Sequence, residues 1–549
     1  MPGQFHHGTA PASDAPLPVL PRKKRLVVMV PGIVQTTKLW VSLTNRLRKE
    51  SGYTESEADW MAFDNEVGPF SFGTADNIAR RLRAQIEQQW IKHGGYDDVV
   101  LIGHSLGGVL ARQAYLLACG GDPRDDRTSD WGARVDRIVL FAAINRGIRD
   151  HTMPRRILIS LLKRLPLPHF VSEDLLRGSD FIANLRINWI RHFAELQSQP
   201  ECKIPLVIQF VGDRDGLVTA SDSDDLLAFK ARPFDIPDAD HGDLYRIDKA
   251  KDPEGRYAMI RGAFVASPEN ILVSAVQSSP KHSNIVFLLH GIMSANIVEW
   301  IADLESKLAS RPNVKVINPE YPYVSPFRFA VPSIRKRNIR FFQDLYSNVL
   351  AHHPTAEFNF IGHSNGTYIL GQSLKHIPGM RFKNVVLAGS VLPIDYPWVE
   401  RIQTLQVQSI RNDRANRDVP VGLLCSALRY GLFMRDIGTG GYEGFSGAST
   451  KEVAYYPGGH GEALRRDNLD NLIDFALAGE CRTLGDKLVR KLGFFRLASR
   501  AMPFLTWLVL LLLAFLSFNW IFEHGQFHLF RLLLLSLGVF AVAALADIL

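Results

Sequence analysis

VVLIGHSLGG at residues 99–108 and FNFIGHSNGT at residues 358–367 share one pattern in the two halves of the chain. In each stretch an apolar run predicts a buried parallel strand, and the residues after the serine have the apolar spacing of a helix. Glycines on both sides of the serine permit a tight strand-to-helix turn, in which a β-carbon would clash with its neighbours. Such a turn exposes the serine hydroxyl. The sequence therefore predicts two domains that each carry a serine nucleophile.

Length and composition predict a folded protein with more than one domain. The chain has 549 residues, which is enough for two or three domains with their own cores. Its 46% hydrophobic and 22% charged residues are ordinary for folded proteins and argue against a mainly disordered chain. The net charge of +7 suggests nucleic acid or an anionic membrane as partner. The membrane is favoured and no nucleic acid is expected, because the late basic residues border apolar segments and no nucleic-acid module is recognisable.

The C-terminal region contains two apolar runs, at residues 502–522 and 529–549. Each run is long enough to cross a bilayer as a helix of about 20 residues, and the short connection between them predicts a transmembrane helical hairpin. A basic segment at 481–501 precedes the first run, which places the soluble domains in the cytoplasm by the positive-inside tendency. The alternative is a buried helix pair in a third soluble domain. The unbroken apolar stretch at 508–513 disfavours that alternative.

The remaining compositional features predict no cofactor and no disulfide framework. Residues 1–21 lack the apolar core of a secretory signal and are predicted to form a mobile tail. The four cysteines are far apart and have no metal-ligand spacing, which is typical of packing thiols in a reducing compartment: Cys119, Cys202, Cys425 and Cys481. The sequence also has no metal-binding cluster and no phosphate-binding glycine loop, so neither a metal nor a nucleotide cofactor is expected.

The start of the first half supplies a family resemblance. LVVMV at residues 26–30 predicts a strand that runs into Pro31-Gly32-Ile33. With GHSLGG at 103–108, this pattern resembles the α/β-hydrolase superfamily, and most of all its lipase and lecithin–cholesterol acyltransferase branch. The resemblance implies mostly parallel sheets with flanking helices and a chain order of serine, acid and histidine. It also implies that the backbone N–H groups of Ile33 and Leu106 hold the oxyanion.

The same resemblance implies an acid and a base for the first half. LVIQFV at residues 206–211 predicts a buried strand that leads to two aspartates. The family's acid usually lies two residues before a Leu-Val pair, which favours Asp215 and leaves Asp213 as the alternative. His241, a loop histidine followed by glycine, would take the proton of Ser105. Chemistry requires this set because the serine hydroxyl is protonated at neutral pH, and a carboxylate fixes the imidazole tautomer.

In the second half, IVFLLHGI at residues 285–292 repeats the strand and the oxyanion loop. The resemblance then makes Ser364 the nucleophile, with the backbone N–H groups of Ile292 and Asn365 as the oxyanion donors. His460 lies in a glycine-rich loop that echoes the first histidine loop, and it would be the base. A complete second set of catalytic groups is therefore expected.

The acid of the second half has two candidates, which follow the strand-like LQVQSI at residues 405–410. Asp418 is favoured because its Asp-Val-Pro-Val context resembles the Asp-x-x-Val arrangement of the first half. Asp413 is the alternative. Both lie before His460 in the chain, as the family order requires.

The predicted organisation is two tandem α/β-hydrolase domains followed by a transmembrane hairpin. An insertion in the first domain, at about 145–200, is predicted to form a helical cap, which is either a membrane-facing lid or an amphipathic helix packed on the core. The predicted boundaries are a tail at 1–21, a first domain at 22–266, a linker at 267–283, a second domain at 284–480, a basic segment at 481–501 and two transmembrane helices at 502–549.

The expected function is a membrane-anchored serine hydrolase that faces the cytoplasm and cleaves carboxylic esters through an acyl-enzyme. Lipids or other acyl esters are the expected substrates, because a lipase-like motif, an apolar anchor and a cap occur together. An acyltransferase is the close enzymatic alternative. A second alternative belongs to a different functional class. It is a membrane scaffold in which one hydrolase domain, expected to be the second, is noncatalytic.

Overall fold

The computed structural model describes the chain over residues 24–33, 35–68, 71–149, 169–199, 201–219, 222, 232–266, 282–291, 297–319, 329, 331–447, 450–481, 488–490 and 493–523. The predicted tail at 1–21, most of the predicted linker and the second apolar run at 529–549 lie outside the described residues. Two six-stranded sheets organise the described part of the chain.

The first sheet is entirely parallel, with the strand order β2-β1-β3-β4-β5-β6. Alternate residues of its first strand enter different cores: Val28 and Val30 point into one, and Val27 and Met29 into the other. Burial on both faces is typical of parallel sheets that are covered by helices. The strands are β1 (Arg25–Val30), β2 (Ala58–Ala62), β3 (Asp98–His104), β4 (Val135–Phe141), β5 (Leu206–Gly212) and β6 (Arg232–Ile236).

The second sheet repeats this arrangement, with the order β8-β7-β9-β10-β11-β12 and parallel pairing throughout. Its strands correspond one by one to those of the first sheet in chain order. Both sheets fit the α/β-hydrolase fold that the sequence predicts. The strands are β7 (Asn284–Leu289), β8 (Val314–Ile317), β9 (Glu357–His363), β10 (Phe382–Ala388), β11 (Val407–Ala415) and β12 (Thr450–Tyr456).

Several helices begin at a side-chain cap or at proline, as their sequences favour. Thr74 and Ser179 accept hydrogen bonds from backbone N–H groups in the first turns of α2 and α5, and Pro253 is the first residue of α6. The helices are α1 (Val41–Leu47), α2 (Ala75–Lys92), α3 (Leu106–Ala118), α4 (Val171–Asp174), α5 (Asp180–Ser198), α6 (Pro253–Val265), α7 (Ile297–Ala309), α8 (Pro332–His352), α9 (Asn365–His376), α10 (Trp398–Gln403), α11 (Gly440–Glu443), α12 (Leu469–Ala478) and α13 (Gly493–Glu523).

The two sheets share a layer of helices. Val109 of α3 and Trp189 of α5 belong to the same hydrophobic core as Phe342 of α8 and Ile369 of α9. The outer faces of the two sheets have separate cores. The two halves therefore stabilise each other through buried apolar surface as well as through the chain that connects them.

Helix α5 lies within the predicted cap insertion and forms part of this shared layer. Arg186, which is fully buried, donates to Asp344 of α8 at 2.9 Å, and Arg146 donates to the same carboxylate. Asn184 donates to the backbone carbonyl of His376 at 3.0 Å. A helix that is buried on several sides lies between layers. The described part of the insertion is thus an interdomain element, while the predicted lid segment at 150–168 lies outside the described residues.

Helix α13 begins at Gly493, within the predicted basic segment, and ends at Glu523. Its section from Gly493 to Leu513 is the one helix in the described part of the chain that is long and apolar enough to cross a membrane. Leu508, Leu511 and Leu513 are each more than half exposed. The structure thus contains one apolar C-terminal helix, and the second helix of the predicted hairpin lies outside the described residues.

Candidate active site

Ser105 occupies a sharp turn between β3 and α3. Its φ of 51° and ψ of −118° place a non-glycine residue in an unusual backbone region. A β-carbon on Gly107 would lie 2.0 Å from the carbonyl oxygen of Val30, and one on Gly103 would lie 2.4 Å from Gly108. The close approach of these segments therefore requires the glycines of the motif.

His241 and Asp215 complete a hydrogen-bonded chain with this serine. The Nε2 of His241 lies 2.9 Å from the Oγ of Ser105, and its Nδ1 lies 2.9 Å from the Oδ2 of Asp215. Asp215 follows β5 and His241 follows β6, so neighbouring parallel strands deliver both groups to one edge of the sheet. Asp213, the other candidate acid, is exposed to solvent.

The environment of Asp215 holds its carboxylate in the charged form. The Oδ1 of Asp215, which does not contact His241, accepts hydrogen bonds from the backbone N–H groups of Leu217 at 2.8 Å and Val218 at 3.0 Å. Burial alone would raise the pKa of Asp215, but the bonds from His241 and these two amides lower it below the usual value. A carboxylate accepts from Nδ1–H, which leaves the Nε2 lone pair for the hydroxyl proton of Ser105.

The predicted oxyanion donors lie on either side of the serine. A β-carbon on Gly32 would lie 3.2 Å from the β-carbon of Ser105, so the loop that contains Ile33 lies against Ser105. Leu106 is the first residue of α3, where a backbone N–H has no acceptor within the helix. Sequence reasoning missed Asn65, a buried side chain that donates to the carbonyl of Pro31 at 2.7 Å and fixes this loop.

Sequence reasoning also missed the role of the histidine before each serine, although both lie in the motif. The Nε2 of His104 lies 2.7 Å from the carbonyl oxygen of His241, and His363 makes the corresponding contact with His460 at 3.2 Å. Because a carbonyl only accepts, each Nε2 carries the proton. Each motif histidine thereby fixes the backbone of the loop that holds the next histidine.

The buried His104 predicts a pH dependence of stability. Burial and the neighbouring His241 lower the pKa of His104 to about 4, whereas an unfolded histidine titrates at about 6.5. Its contribution to stability is full above pH 6.5 and is lost as the pH falls towards 4, because only the unfolded state gains a proton there. We expect the thermal midpoint to fall between pH 7 and pH 5. His104→Gln keeps a donor and should show a smaller fall; an unchanged fall would contradict this assignment.

The second site has the same serine turn and a similar pair of histidine and acid. Ser364 has φ 52° and ψ −119° between β9 and α9. The Nδ1 of His460 lies 2.9 Å from each oxygen of Asp418, whose side chain is fully buried and also accepts from the N–H of Val421. Asp418 follows β11 and His460 follows β12, which repeats the arrangement of the first site.

The second site differs in the contact between its base and its serine. The buried Nε2 of His460 has no hydrogen-bond partner among the described residues, so it does not bond to Ser364. A β-carbon on Gly291 would lie 2.5 Å from that of Ser364, which places the oxyanion loop against the serine. Asn365 begins α9, as Leu106 begins α3, and Ile292 lies outside the described residues.

Asp413, the alternative acid, forms an ion pair with Arg411 instead of contacting His460. Its two oxygens accept from the Nε and Nη2 of Arg411, each at 2.7 Å, and both side chains are fully buried. Tyr456 donates to the same carboxylate at 2.9 Å. The structure therefore places Asp418, rather than Asp413, at the histidine.

The described residues contain no group of three or more histidine, cysteine or carboxylate side chains that could hold a metal ion. The four predicted packing cysteines are free thiols: Cys425 is buried, Cys119 is partly buried, and Cys202 and Cys481 are exposed.

Residues 27–253 match the alpha/beta hydrolase family. No curated protein matches the chain in sequence. Among solved structures, the monoacylglycerol lipase of Paleococcus ferrophilus is 15% identical, with a TM-score of 0.28 over 44% of this chain and 94% of that chain. A lipase-esterase related protein of Clostridium acetobutylicum is 13% identical, with a TM-score of 0.29 over 44% and 95%. A thermophilic esterase of Thermogutta terrifontis is 15% identical, with a TM-score of 0.25 over 46% and 92%.

Proposed function

We propose, from the match of residues 27–253 to the α/β-hydrolase family, that the first half of this chain is a serine hydrolase of carboxylic esters. The observation that carries the proposal is the continuous hydrogen-bonded chain from Asp215 through His241 to Ser105. The Nδ1–H of His241 donates to Asp215, which leaves the Nε2 of His241 free to accept the proton of the Ser105 hydroxyl.

The proposed reaction proceeds in two halves. Ser105 loses its proton to the Nε2 of His241 while its Oγ attacks the ester carbonyl carbon, and the N–H groups of Ile33 and Leu106 stabilise the oxyanion. The tetrahedral intermediate collapses with protonation of the leaving alcohol by His241, which gives an acyl-enzyme. Water then attacks the acyl carbon while His241 takes its proton. The second tetrahedral intermediate collapses as His241 returns that proton to the Oγ of Ser105, which releases the carboxylic acid and the free serine.

Lipids or other acyl esters are the proposed substrates, because α13 gives the chain an apolar anchor. In water its exposed leucines would face solvent on several sides of the helix, which is unfavourable, whereas a bilayer would bury them. We propose that α13 anchors the protein and that the soluble domains face the cytoplasm, as the basic segment before the apolar run predicts.

Labelling by a fluorophosphonate tests the nucleophile. We expect the intact chain to be labelled at Ser105, because an assembled serine and histidine react with this class of reagent. Ser105→Ala should lose that label, and Ser364→Ala should retain it. Mass spectrometry of the labelled peptides distinguishes the two serines. Retention of the first-domain label in Ser105→Ala would reject Ser105 as the nucleophile.

The second domain has two candidate functions, and one observation separates it from the first. Its histidine and acid are paired, which supports a second hydrolase site, but the Nε2 of His460 does not bond to Ser364. A noncatalytic membrane scaffold is therefore the second candidate. If the second domain is catalytic, label remains at Ser364 in the Ser105→Ala variant and disappears in the double variant. Absence of label at Ser364 in every variant would support the scaffold.

Extraction tests the membrane anchor. We expect the intact chain to remain with membranes in alkaline carbonate and to require detergent, because burial of the exposed apolar side chains of α13 favours the bilayer. A chain that ends at Ala501 should appear in the soluble fraction. Release of the intact chain by carbonate would contradict the anchor.

A further inference from the structure

An exposed apolar surface lies on the second domain, in the segment that follows Asp418. We define the apolar tip as Tyr430, Leu432 and Phe433, whose exposed fractions are 45%, 43% and 65%. Phe433 has a φ of 57°, in a region that bulky residues rarely adopt. The protein thus holds a large aromatic ring on the surface by means of a strained backbone, which points to a use for that ring.

The apolar tip is continuous with α13. The ring of Phe433 packs against the ring of Trp507, with 5.8 Å between their centroids. A β-carbon on the neighbouring Gly431 would lie 2.9 Å from Thr506, so the helix and the loop are in close contact. Trp507 directly precedes the continuous run of exposed apolar residues at 508–513, and tryptophan favours the boundary between membrane and water. The tip therefore lies beside the N-terminal part of the predicted span at 502–522.

The first turns of α13 are fixed to the second domain through one face of the helix. Ser499 donates from Oγ to the carbonyl of Gly422 at 2.5 Å, and Ser426 donates to the carbonyl of Ser499 at 2.8 Å. The ring of Phe495 packs on that of Tyr442, with 5.2 Å between centroids. These contacts set the orientation of the domain relative to the helix, so the tip cannot turn away from a bilayer that α13 spans.

Cationic residues lie near this surface along the chain. Arg496 and Arg500 lie four residues apart on α13 and are exposed, as is Arg435 beside the tip. Arginines near an apolar surface suit the anionic headgroups of a cytoplasmic leaflet. Charge and apolar surface together match a lipid interface.

We infer that the apolar tip inserts into the boundary between headgroups and acyl chains of the bilayer, beside α13. The inference rests on the proposed anchoring by α13 and adds a second contact, made by the domain itself. Membrane insertion of the tip would affect the second site, because the segment that carries the tip begins at Asp418. The N–H of Val421 donates to the side chain of Asp418, and the N–H of Gly422 donates to the backbone carbonyl of Asp418. Membrane contact would hold this acid loop at the lipid surface.

Fluorescence quenching in vesicles tests the inference. The intact chain, with the exposed Cys202 and Cys481 replaced by serine, is reconstituted in vesicles of phosphatidylcholine and phosphatidylglycerol. An environment-sensitive dye is attached through Phe433→Cys, and lipids with a spin label near the headgroup or in the middle of the acyl chain act as quenchers. Leu405→Cys is a matched control, because Leu405 is 66% exposed, has a φ of 58° and precedes β11 at the opposite sheet edge. Leu512→Cys reports on α13 itself.

We expect the dye at 433 to shift its emission to the blue and to be quenched by the spin-labelled lipid, while the dye at 405 is unaffected. Tyr430→Cys should repeat the result and serves if the first variant folds poorly. Quenching by lipid at residue 512 but not at residue 433 would overturn the proposed insertion of the tip and would still support the anchor. Quenching at neither position would overturn both proposals, and quenching at 433 alone would reject the anchor and, with it, insertion of the tip beside α13. Equal quenching at 433 and 405 would also overturn the tip.

Discussion

Asp215→Asn is expected to lower the proposed ester hydrolysis by the first site about 10⁴-fold, as loss of the acid does in serine hydrolases, while the fold remains. The reason is the polarity of the hydrogen bond. The carboxylate accepts from the Nδ1–H of His241 at 2.9 Å, whereas an amide in its place can donate to Nδ1 and favour the wrong imidazole tautomer. The base would then present N–H to Ser105 and could not take its proton.

The measurement is turnover of a water-soluble ester by the intact protein in detergent, in a Ser364→Ala background that removes the second candidate nucleophile. Asp213→Asn is a matched control, because this exposed carboxylate lies two residues away and does not contact the histidine. We expect it to retain nearly full activity. An equal or larger loss in Asp213→Asn would transfer the role of acid to Asp213.

Asp413→Ala is expected to destabilise the folded protein by about 3–5 kcal/mol, because it leaves the buried guanidinium of Arg411 without its counter-ion. Both side chains are fully buried, and two hydrogen bonds of 2.7 Å join them. The denaturation midpoint of the intact protein in detergent measures the effect. Arg411→Met combined with Asp413→Leu should recover much of the stability, because an apolar pair of similar volume removes the unpaired charge.

Asp418→Asn should leave stability nearly unchanged and remove the activity that depends on Ser364. It leaves the ion pair of Asp413 intact, so the denaturation midpoint should stay close to that of the original protein. In a Ser105→Ala background, however, it should abolish any labelling or hydrolysis that depends on Ser364, because an amide in place of the carboxylate can donate to the Nδ1 of His460 and favour the wrong imidazole tautomer. If Asp413→Asn suppressed Ser364 activity at unchanged stability, Asp413 would be the acid.

The α/β class of the fold and the parallel sheets could be predicted because their determinants are local. The apolar runs before Ser105 and Ser364 became β3 and β9, and the flanking glycines became tight turns with almost identical backbone angles at the two serines. Strand burial and steric room at a turn depend on residues that are close in the chain. The resemblance of the first half to the α/β-hydrolase superfamily is likewise supported by the family match over residues 27–253.

The family resemblance favoured Asp215 and Asp418 but left Asp213 and Asp413 open, and only the tertiary structure shows which carboxylate contacts each histidine and where α5 lies. His241 meets Asp215 from 26 residues away, and His460 meets Asp418 from 42 residues away. The sequence does not report that Arg411 pairs with Asp413, because that contact depends on how the buried groups pack. Helix α5 lies in the insertion predicted to form a cap, but it packs against both α3 and α8, which belong to different halves of the chain.

The sequence by itself therefore determined the strands that lead into the serine turns, those turns and the apolar C-terminal run, since periodicity and glycine placement act over a few residues. The tertiary structure alone showed that the favoured carboxylates contact the two histidines, and it decided how α5 joins the two sheets and where α13 meets the second half of the chain. These features depend on contacts between residues that are far apart in the chain. Charged groups compete for partners, and in the folded chain each buried carboxylate is stabilised by the donors that reach it.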